Sequence, residues 1–330
     1  MSSNQIAIIG GAGFVGSSLS SRFSKNNVSF KVLDIDISRQ SSRLEYADVE
    51  DLNSLSKLNG ISTIINLAAV HRDNVQPLSR YEDVNVQGAV NVCIAAREHR
   101  INKIIFTSSV AIYGFAPANT DESGEVNYFN DYGRTKYLAE QVYKKWQAED
   151  PDNRTLVIVR PTVIFGEGNR GNVYNLIKQI ASHKFVMFGA GKNRKSMAYV
   201  ENVVAFLEYS LSFNSGLNIY NYIDKPDFDM NTLILETRKI LFGKNNIGLR
   251  LPAFLGMTIG FMADLFQKFT GKALPISSIR VKKFMGTTQF ASSVSKTGFV
   301  APVSLEEGLA STLRYEFLED NSGKRTFETE

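Results

Sequence analysis

A tyrosine and a lysine four residues apart, Tyr132 and Lys136, are the side chains whose types and spacing point most directly to chemistry. Residues at i and i+4 share one face of a helix, so the phenol and the ammonium project from the same side. A free phenol titrates near pH ~10, and a nearby positive charge favours its ionised form. The pair therefore predicts a tyrosine that acts as a general base at neutral pH.

A glycine-rich turn near the start of the chain gives this pair its context. The β-branched run at 5–9 breaks into glycines and continues into a segment with helical character. The spacing Gly-x-Gly-x-x-Gly allows close approach of the backbone to a pyrophosphate, and the following helix N-terminus faces the phosphates. We interpret this turn as the phosphate-binding part of a dinucleotide site, formed by Gly10, Gly11, Gly13, Phe14, Val15 and Gly16.

The next predicted strand ends with an acidic residue. Asp34 ends the apolar run that begins at Phe30, and dinucleotide-binding folds place there the carboxylate that binds the adenosine ribose hydroxyls. Because a carboxylate repels a 2′-phosphate, the sequence favours NAD over NADP as the cofactor. Asp36 is the alternative acid, but it lies beyond the end of the apolar run.

The first half of the chain alternates predicted strands and helices. The predicted elements are strands at 62–69, 103–109 and 155–160 and helices at 81–99 and 132–146. This alternation predicts an α/β fold, a Rossmann doubly wound parallel sheet with ligands at the carboxyl ends of its strands. We expect an NAD-binding domain at 1–165 with a returning segment near 197–225. A smaller α/β substrate domain is expected at 166–330, where the pattern becomes less regular.

Composition excludes several classes of protein. With 330 residues, 43% of them hydrophobic, and no low-complexity stretch, the chain is typical of an ordered globular protein. A net charge of +4 is too small to indicate a nucleic-acid partner, and we expect neither nucleic acid nor a metal. The single cysteine, Cys93, cannot form an internal disulfide, which favours a reducing cytoplasm. We find no secretory signal and no apolar run of the ~20 residues that a spanning helix needs.

These motifs occur in a fixed order along nearly the whole chain, together with several shorter ones. The additional stretches are Asp48-Val49, Asn-Leu-Ala-Ala at 66–69, Asn-Val-Gln-Gly at 85–88, Ser-Ser-Val-Ala-Ile-Tyr-Gly at 108–114 and Arg-Pro-Thr-Val-Ile-Phe-Gly at 160–166. In this order they resemble the NAD-dependent epimerase/dehydratase family, which are extended short-chain dehydrogenases/reductases. The resemblance implies the same doubly wound fold and a homodimer formed through the helices at 81–99 and 132–146.

The resemblance also implies a role for each matching residue. Tyr132 would be the base on a sugar hydroxyl, and Ser109 would hydrogen-bond the same hydroxyl. Lys136 would bind the nicotinamide ribose and stabilise the phenolate, so Tyr132 and Lys136 belong to the cofactor site as well. Further cofactor contacts are implied for Asp48, Val49, Leu67, Ala68, Ala69 and Asn85. The alternatives are a Ser109 that only caps a strand end and an Asn85 that only stabilises a helix.

A closer likeness concerns the substrate. The stretches at 71–73, 171–178, 195–200, 220–226 and 280–284 look like those of the bacterial epimerases of lipid-linked sugars. That subgroup interconverts N-acetylglucosamine and N-acetylgalactosamine on undecaprenyl diphosphate, at the start of surface-glycan assembly such as that of the O-antigen of lipopolysaccharide. The likeness implies a redox-neutral 4-epimerase that works through a 4-keto sugar with tightly bound NAD.

One departure from the wider family bears on the diphosphate. Nucleotide-sugar enzymes of the family usually carry an Arg-Asp pair where this chain has Lys195 and Ser196. Lysine keeps the charge but not the bidentate geometry of arginine, which weakens the case for a uridine-diphosphate sugar. The candidate substrate-binding residues are His71, Ser109, Asn172, Lys195, Arg280 and Lys283. A soluble epimerase of UDP-N-acetylglucosamine or UDP-glucose remains the alternative.

The two residues that follow Ser109 indicate which other reactions of the family this chain could catalyse. Dehydratases of the family place an Asp-Glu pair directly after the active-site hydroxyl residue, and this chain has Val110 and Ala111 there. Dehydration is therefore disfavoured. A 4-keto-sugar reductase that uses NAD(P)H has the same Ser–Tyr–Lys set, so this function remains an alternative. A protein that only senses NAD commonly loses the tyrosine or the lysine, whereas this chain keeps both.

If the segment at 251–266 is helical, nearly all of its faces are apolar, and Asp264 is the charged residue within it. From 244 to 283 the chain has seven basic residues and one acidic residue, a net charge of +6. Two interpretations remain: a buried helix of the substrate domain with a solvated basic rim, or a helix in an anionic membrane interface. The second interpretation would place a cytoplasmic protein at the inner face of the cell membrane, beside a polyprenyl substrate.

Overall fold

The computed structural model describes residues 5–38, 42–72, 75–271 and 277–329, and the side chain of Arg280 lies outside this description. Asp73 and Lys272, which contributed to the motif and charge patterns, also lie outside the described residues. Two layers of helices enclose a central sheet in the first half of the chain, and smaller sheets and helices follow.

Seven parallel strands form the central sheet. They are β1 (Gln5–Ile9), β2 (Phe30–Asp34), β3 (Leu44–Tyr46), β4 (Ile61–Asn66), β5 (Lys103–Thr107), β6 (Thr155–Pro161) and β10 (Gly216–Tyr222). Their order across the sheet is β10-β6-β5-β4-β1-β2-β3. The order reverses between β1 and β4, and dinucleotides bind outside the carboxyl ends of the strands at such a reversal. The predicted doubly wound parallel sheet is confirmed.

Helices cover both faces of this sheet. They are α1 (Phe14–Lys25), α2 (Ser79–Glu82), α3 (Gly88–Glu98), α4 (Asp131–Ala148) and α6 (Val200–Tyr209). Residues of β1 alternate between two cores: Ile6 and Ile8 pack with α1 and α6, while Ala7 and Ile9 pack with α3 and α4. A wide helical turn at Asp83–Gln87 joins α2 to α3 and carries Asn85.

A later segment of the chain returns to this sheet. β10 pairs in parallel with β6, from Gly216 opposite Thr155 to Tyr222 opposite Pro161. α6 packs against α1, and Glu208 accepts a hydrogen bond from Arg22 Nε at 2.6 Å. β10 and α6 thus add a strand and a helix to the layer around the central sheet. The domain limits at 165 and 166, and the assignment of 197–225 to the first domain, stay predictions.

The remaining elements build the second half of the molecule. Strands β7 (Val163–Phe165), β9 (Arg194–Tyr199) and β11 (Asp224–Asp229) form a three-stranded sheet, and β8 (Met187–Phe188) pairs with β12 (Arg250–Leu251). The helices are α5 (Asn172–Ala181), α7 (Met230–Phe242), α8 (Ala253–Thr270), α9 (Ser278–Met285) and α10 (Leu305–Phe317). A capping box of Ser304 and Glu307 begins α10, and Asp229 caps α7.

α8 turns its small residues inward and its large apolar residues outward. Gly256, Gly260 and Ala263 are buried, and a Cβ on Gly256 would lie 2.7 Å from the ring of Phe188. The large apolar side chains of α8 that are 37% to 80% exposed are Phe254, Leu255, Ile259, Phe261, Met262, Leu265, Phe266 and Phe269. The buried-helix interpretation of 251–266 is therefore wrong. In the described part of the chain, α8 included, every helix is too short or too polar to cross a membrane.

Candidate active site

The three predicted catalytic residues come from the end of β5 and the start of α4. Ser109 caps the short helical turn that follows β5 and accepts a hydrogen bond from the Ala111 N–H at 3.1 Å. α4 begins with an Asn130 cap, so Tyr132 lies in its first turn. A Cβ on Gly133 would lie 2.5 Å from the carbonyl oxygen of Ala111, so glycine permits the close approach of α4 to this turn. That approach places Ser109 near enough to Tyr132 to lower the pKa of the tyrosine.

Lys136 projects from the next turn of α4 and is almost fully buried. Its Nζ donates a hydrogen bond to the Thr107 carbonyl oxygen at 2.7 Å and lies 4.8 Å from the centre of the Phe106 ring. Loss of hydration lowers the pKa of Lys136 to about 7, against a smaller rise caused by the Glu140 carboxylate. Burial raises the pKa of Tyr132, and the hydrogen bond from Ser109 offsets part of that rise. Without a ligand, both groups are thus shifted towards their neutral forms.

The glycine turn is shaped for close packing at two positions. Gly10 has a φ of +74°, and a Cβ there would lie 2.6 Å from the Ala68 nitrogen at the end of β4. A Cβ on Gly16 would lie 2.4 Å from the Cα of Gly11, so α1 packs directly against the turn. The N-terminus of α1, with Phe14 as its first residue, therefore opens onto the carboxyl edge of the sheet.

Asp34 ends β2 beside this turn. Its Oδ2 accepts a hydrogen bond from the Ala12 N–H at 2.8 Å, and its Oδ1 accepts one from the Asp36 N–H at 2.9 Å. A carboxylate held in this place suits the ribose hydroxyls of an adenosine and disfavours a 2′-phosphate. Asp36, the alternative acid, lies 3.5 Å from the guanidinium of Arg325 instead.

Five of the further predicted cofactor contacts follow the ends of β3 and β4. Val49 is buried, and a Cβ on Gly88 would lie 2.7 Å from its side chain. The Asp48 carboxylate accepts a hydrogen bond from the Glu50 N–H at 2.9 Å. Leu67, Ala68 and Ala69 form the loop after β4, directly beside Gly10. The structure thus brings these five residues to the same edge of the sheet as the glycine turn.

Asn85 connects the loop after β4 to the catalytic helix. Its side-chain amide accepts from the Val70 N–H at 2.8 Å and donates to the Val70 carbonyl oxygen at 3.0 Å. It also donates to Thr135 Oγ1 at 2.9 Å, between Tyr132 and Lys136 in the sequence. Because Asn85 is buried, these contacts fix the position of α4 relative to the cofactor loop. A direct cofactor contact for Asn85 stays a prediction.

His71 lies on the same loop, close to the catalytic lysine. Its Nδ1 is 3.4 Å from the Ala69 carbonyl oxygen. Loss of hydration lowers the pKa of His71, and the positive charges of Lys136 and Arg72 act in the same direction. The imidazole is therefore biased towards its neutral form, and its contact with substrate stays a prediction.

The side chain of one predicted diphosphate ligand contacts the main chain of another. Lys195, in β9, donates a hydrogen bond from Nζ to the Lys283 carbonyl oxygen at 2.9 Å, and burial lowers its pKa to about 8. The Lys283 ammonium lies 5.0 Å from the centre of the Phe129 ring. Arg280 precedes Lys283 by one turn of α9, and its side chain lies outside the described residues. Asn172 is the exposed first residue of α5, on a separate element.

Sequence reasoning missed a buried charge network behind the catalytic helix. The Arg160 guanidinium makes two hydrogen bonds to the Glu140 carboxylate, at 2.8 and 2.7 Å, and a third to the Tyr113 hydroxyl at 2.6 Å. Tyr113 in turn donates to Asn221 Oδ1 at 2.9 Å. A signal was present, because Glu140 lies four residues after Lys136 on one helix face, and Arg160 ends an otherwise apolar strand.

The described residues fit a dinucleotide cofactor. Cβ atoms on Gly10 or Gly16 would clash with the neighbouring backbone, so the glycines keep the turn close to β4 and α1, and Asp34 stands at the ribose position. Near Lys136, the buried hydroxyls of Thr107 and Ser108 lack a hydrogen-bond partner among the residues that the structure describes. Buried hydroxyls normally have a partner, so their position at the end of β5 fits a polar ligand there.

Comparison with known proteins agrees with this geometry. The model of the NAD-dependent epimerase/dehydratase family matches residues 6–221. The chain is 46% identical, over 335 aligned positions and 99% of each chain, to the N-acetyl-α-D-glucosaminyl-diphospho-ditrans,octacis-undecaprenol 4-epimerase of Escherichia coli O157:H7. The solved UDP-glucose 4-epimerase of Thermotoga maritima, with UDP-glucose, superposes with a TM-score of 0.74 at 20% identity, covering 96% of this chain and 100% of that one. MoeE5 in complex with UDP-glucose and NAD gives 0.72 at 21% identity, with 94% and 98% covered. These two structures share the fold.

Proposed function

Because the chain belongs to the NAD-dependent epimerase/dehydratase family, with NAD as its cofactor, we propose that it is the 4-epimerase of a lipid-linked sugar. Its substrate is N-acetylglucosamine on undecaprenyl diphosphate, which it interconverts with the N-acetylgalactosamine form. The observation that carries the proposal is the 46% identity, end to end, to a protein named for this reaction.

The site residues supply the proton chemistry of this reaction. Tyr132, as phenolate, removes the proton of the sugar O4, and Ser109 holds the same oxygen through a hydrogen bond. Lys136 binds the nicotinamide ribose, and its ammonium stabilises the phenolate. NAD, when bound, would supply the acceptor for the C4 hydride and its source on return. The 4-keto sugar turns over between the two steps, so the tyrosine gives its proton back to O4 and the reaction needs no external oxidant.

Lys195 and Lys283 form the core of the proposed diphosphate site. The hydrogen bond from Lys195 Nζ to the Lys283 main-chain carbonyl oxygen, at 2.9 Å, joins β9 to α9, and Lys195 is half-buried there. Lowering of the Lys195 pKa to about 8 leaves its amine mostly charged at neutral pH, and a diphosphate would favour that charge further. Arg280 and Asn172 are the proposed additional ligands, and His71 faces the sugar from the loop after β4.

We further propose that the exposed apolar face of α8 lies in the surface of the cell membrane, on its inner side. A face of eight large apolar side chains is unusual for a surface in water, and cations flank it in the sequence. A polyprenyl chain stays in the bilayer, so the enzyme must approach it there. A homodimer through the helices at 81–99 and 132–146 is part of the same proposal, by analogy with the family.

The experiment that tests the substrate compares two carriers. Purified protein, without added cofactor, receives either N-acetylglucosaminyl-diphospho-undecaprenol in detergent or UDP-N-acetylglucosamine, and the sugar released by mild acid is identified. We expect N-acetylgalactosamine from the lipid carrier alone. Conversion of only the nucleotide sugar would refute the lipid-linked substrate. Conversion of neither would refute the epimerase itself and direct the next assay to keto sugars with NADH.

A further inference from the structure

The C-terminal residues 325–329 touch the cofactor-binding edge at three places. The Arg325 guanidinium lies 3.5 Å from the Asp36 carboxylate. The Phe327 ring lies 5.6 Å from the ring of Phe14, centre to centre. The carbonyl oxygen of Glu328 accepts two hydrogen bonds from the Arg72 guanidinium, at 2.8 and 3.2 Å. These contacts join segments that are far apart in the sequence, and tertiary structure alone brings them together.

The three contact points belong to three adjacent strands. Asp36 follows β2, Phe14 opens the helix after β1, and Arg72 lies in the loop after β4. The sheet order places β1 between β4 and β2. A segment that touches all three ends therefore crosses the carboxyl edge of the sheet where the glycine turn cradles a dinucleotide.

The same segment is also anchored to the loop at 168–170, which follows β7. The Phe327 N–H donates to the Gly168 carbonyl oxygen at 2.8 Å, and the Phe327 carbonyl oxygen accepts from the Arg170 N–H at 2.9 Å. Thr329 Oγ1 donates to Asn169 Oδ1 at 3.1 Å. Glu316 of α10 fixes this loop in turn, because it accepts from the Gly168 N–H at 2.6 Å and pairs with Arg170.

We propose that residues 325–329 form a strap that closes the NAD cleft and controls release of the cofactor. Phe327 holds the strap in place. Its ring packs on Phe14 at the N-terminus of α1, and its backbone is hydrogen-bonded to the 168–170 loop. Arg325 adds a positive charge at the ribose rim beside Asp36. NAD enters and leaves only when these contacts open, so the strap slows release without taking part in hydride transfer.

The rate of NAD exchange tests the strap directly. Protein loaded with NAD is mixed with excess isotopically labelled NAD, and the label in the bound fraction is followed by mass spectrometry. Phe327→Ala removes the ring contact, and we expect exchange to become about tenfold faster, with a higher dissociation constant. Lys324→Ala is the matched control, because the Lys324 ammonium lies over the Tyr315 ring instead, and it should leave exchange unchanged.

Two results would overturn the proposal. Exchange at the wild-type rate in Phe327→Ala would mean that the strap does not control release. A lower NAD dissociation constant in that variant would mean that the tail competes with the cofactor. The wild-type protein gives an independent test if the variant is unstable. Trypsin cleavage after Lys324 and Arg325 should slow at least several-fold when NAD is bound, and equal cleavage with and without NAD would also overturn the strap.

Discussion

At the scale of single residues, the active site holds a tyrosine and a lysine that burial shifts away from their charged forms. The pKa of Lys136 is lowered to about 7 and that of Tyr132 is raised, in both cases mainly by loss of hydration. Glu140, itself paired with Arg160, opposes the shift of the lysine. The protein alone therefore does not favour the ion pair that catalysis needs. A positively charged nicotinamide beside them would favour the phenolate, so cofactor binding and activation of the base are coupled.

The first prediction at this scale concerns the base. Tyr132→Phe keeps the ring and removes the hydroxyl whose pKa Ser109 lowers. We expect turnover of the lipid-linked sugar to fall by about 10² to 10⁴-fold or more, because general acid–base catalysis contributes on that order. Bound NAD per protein should stay unchanged. Tyr137→Phe, on the same helix, is the control that should retain activity. Wild-type turnover in Tyr132→Phe would exclude this residue as the base.

The second prediction concerns the buried lysine in the protein freed of cofactor. Folding lowers the pKa of Lys136 from 10.5 to about 7, so between these values the unfolded chain binds a proton that the folded chain does not. The contribution of Lys136 to the free energy of unfolding must then rise with pH, by up to about 1.4 kcal/mol per pH unit. Denaturant unfolding of the wild type and Lys136→Met at about pH 7.5 and 9.5 measures it. The stability difference should shift by ~2 kcal/mol in favour of the wild type at the higher pH.

A matched control separates this effect from other titrations. Lys145 is exposed on the same helix, so Lys145→Met should give a stability difference from the wild type that does not change over this pH range. A constant difference for Lys136→Met as well would mean that the buried amine keeps its proton in the folded chain.

At the scale of elements, local sequence signals were sufficient for the parts that bind the cofactor. Gly10 and Gly16 are required where the backbone of the turn approaches β4 and α1, and Asp34 ends its strand as the apolar run predicts. The Tyr132 and Lys136 pair lies on one helix because the i, i+4 spacing is a property of the helix itself. The α/β order followed from the alternation of such signals, which depend on neighbouring residues alone.

The orientation of α8 was open because composition does not say which residues of an apolar helix pack. The answer lies in residue size: Gly256, Gly260 and Ala263 follow the i, i+4, i+7 spacing of a helix face and let it approach Phe188 and Ser278 closely. The large side chains are then left outside. The spacing of these small residues could have predicted which face of α8 packs, but the sequence interpretation did not use it.

Contacts between distant segments were beyond sequence reasoning. The Arg160 and Glu140 pair, the bridge from Asn85 to Thr135, and the tail contacts of Phe327 each join elements whose relative positions only the assembled fold defines. A spacing such as that of Glu140, four residues after Lys136, can mark a buried charge, but it does not identify the partner on a distant element. The first two of these long-range contacts hold α4, and the third carries the proposed strap over the cofactor edge.

At the scale of the whole molecule, the apolar face and the proposed diphosphate site share a pair of helices. α8 packs against α9, and the Asp264 carboxylate of α8 accepts a hydrogen bond from the Ser278 N–H at the start of α9 at 3.2 Å. Lys283, which contacts Lys195, lies on α9. If α8 lies in the membrane surface, the cations of α9 are held at the depth of lipid headgroups, where the diphosphate of a polyprenyl carrier is exposed.

The last prediction tests this arrangement through α8. Phe261 and Phe269 are 60% and 80% exposed, so Phe261→Ser with Phe269→Ser should leave the melting temperature unchanged. Binding to vesicles containing phosphatidylglycerol should weaken at least about tenfold, because each lost aromatic removes apolar area from the interface. Turnover of the undecaprenyl substrate in those vesicles should fall in parallel, while turnover of a short-chain, water-soluble analogue should persist. Val300→Ser with Leu318→Ser removes two other exposed apolar side chains and should change neither binding nor turnover. Equal vesicle binding by the α8 variant and the wild type would show that this face is not the membrane contact.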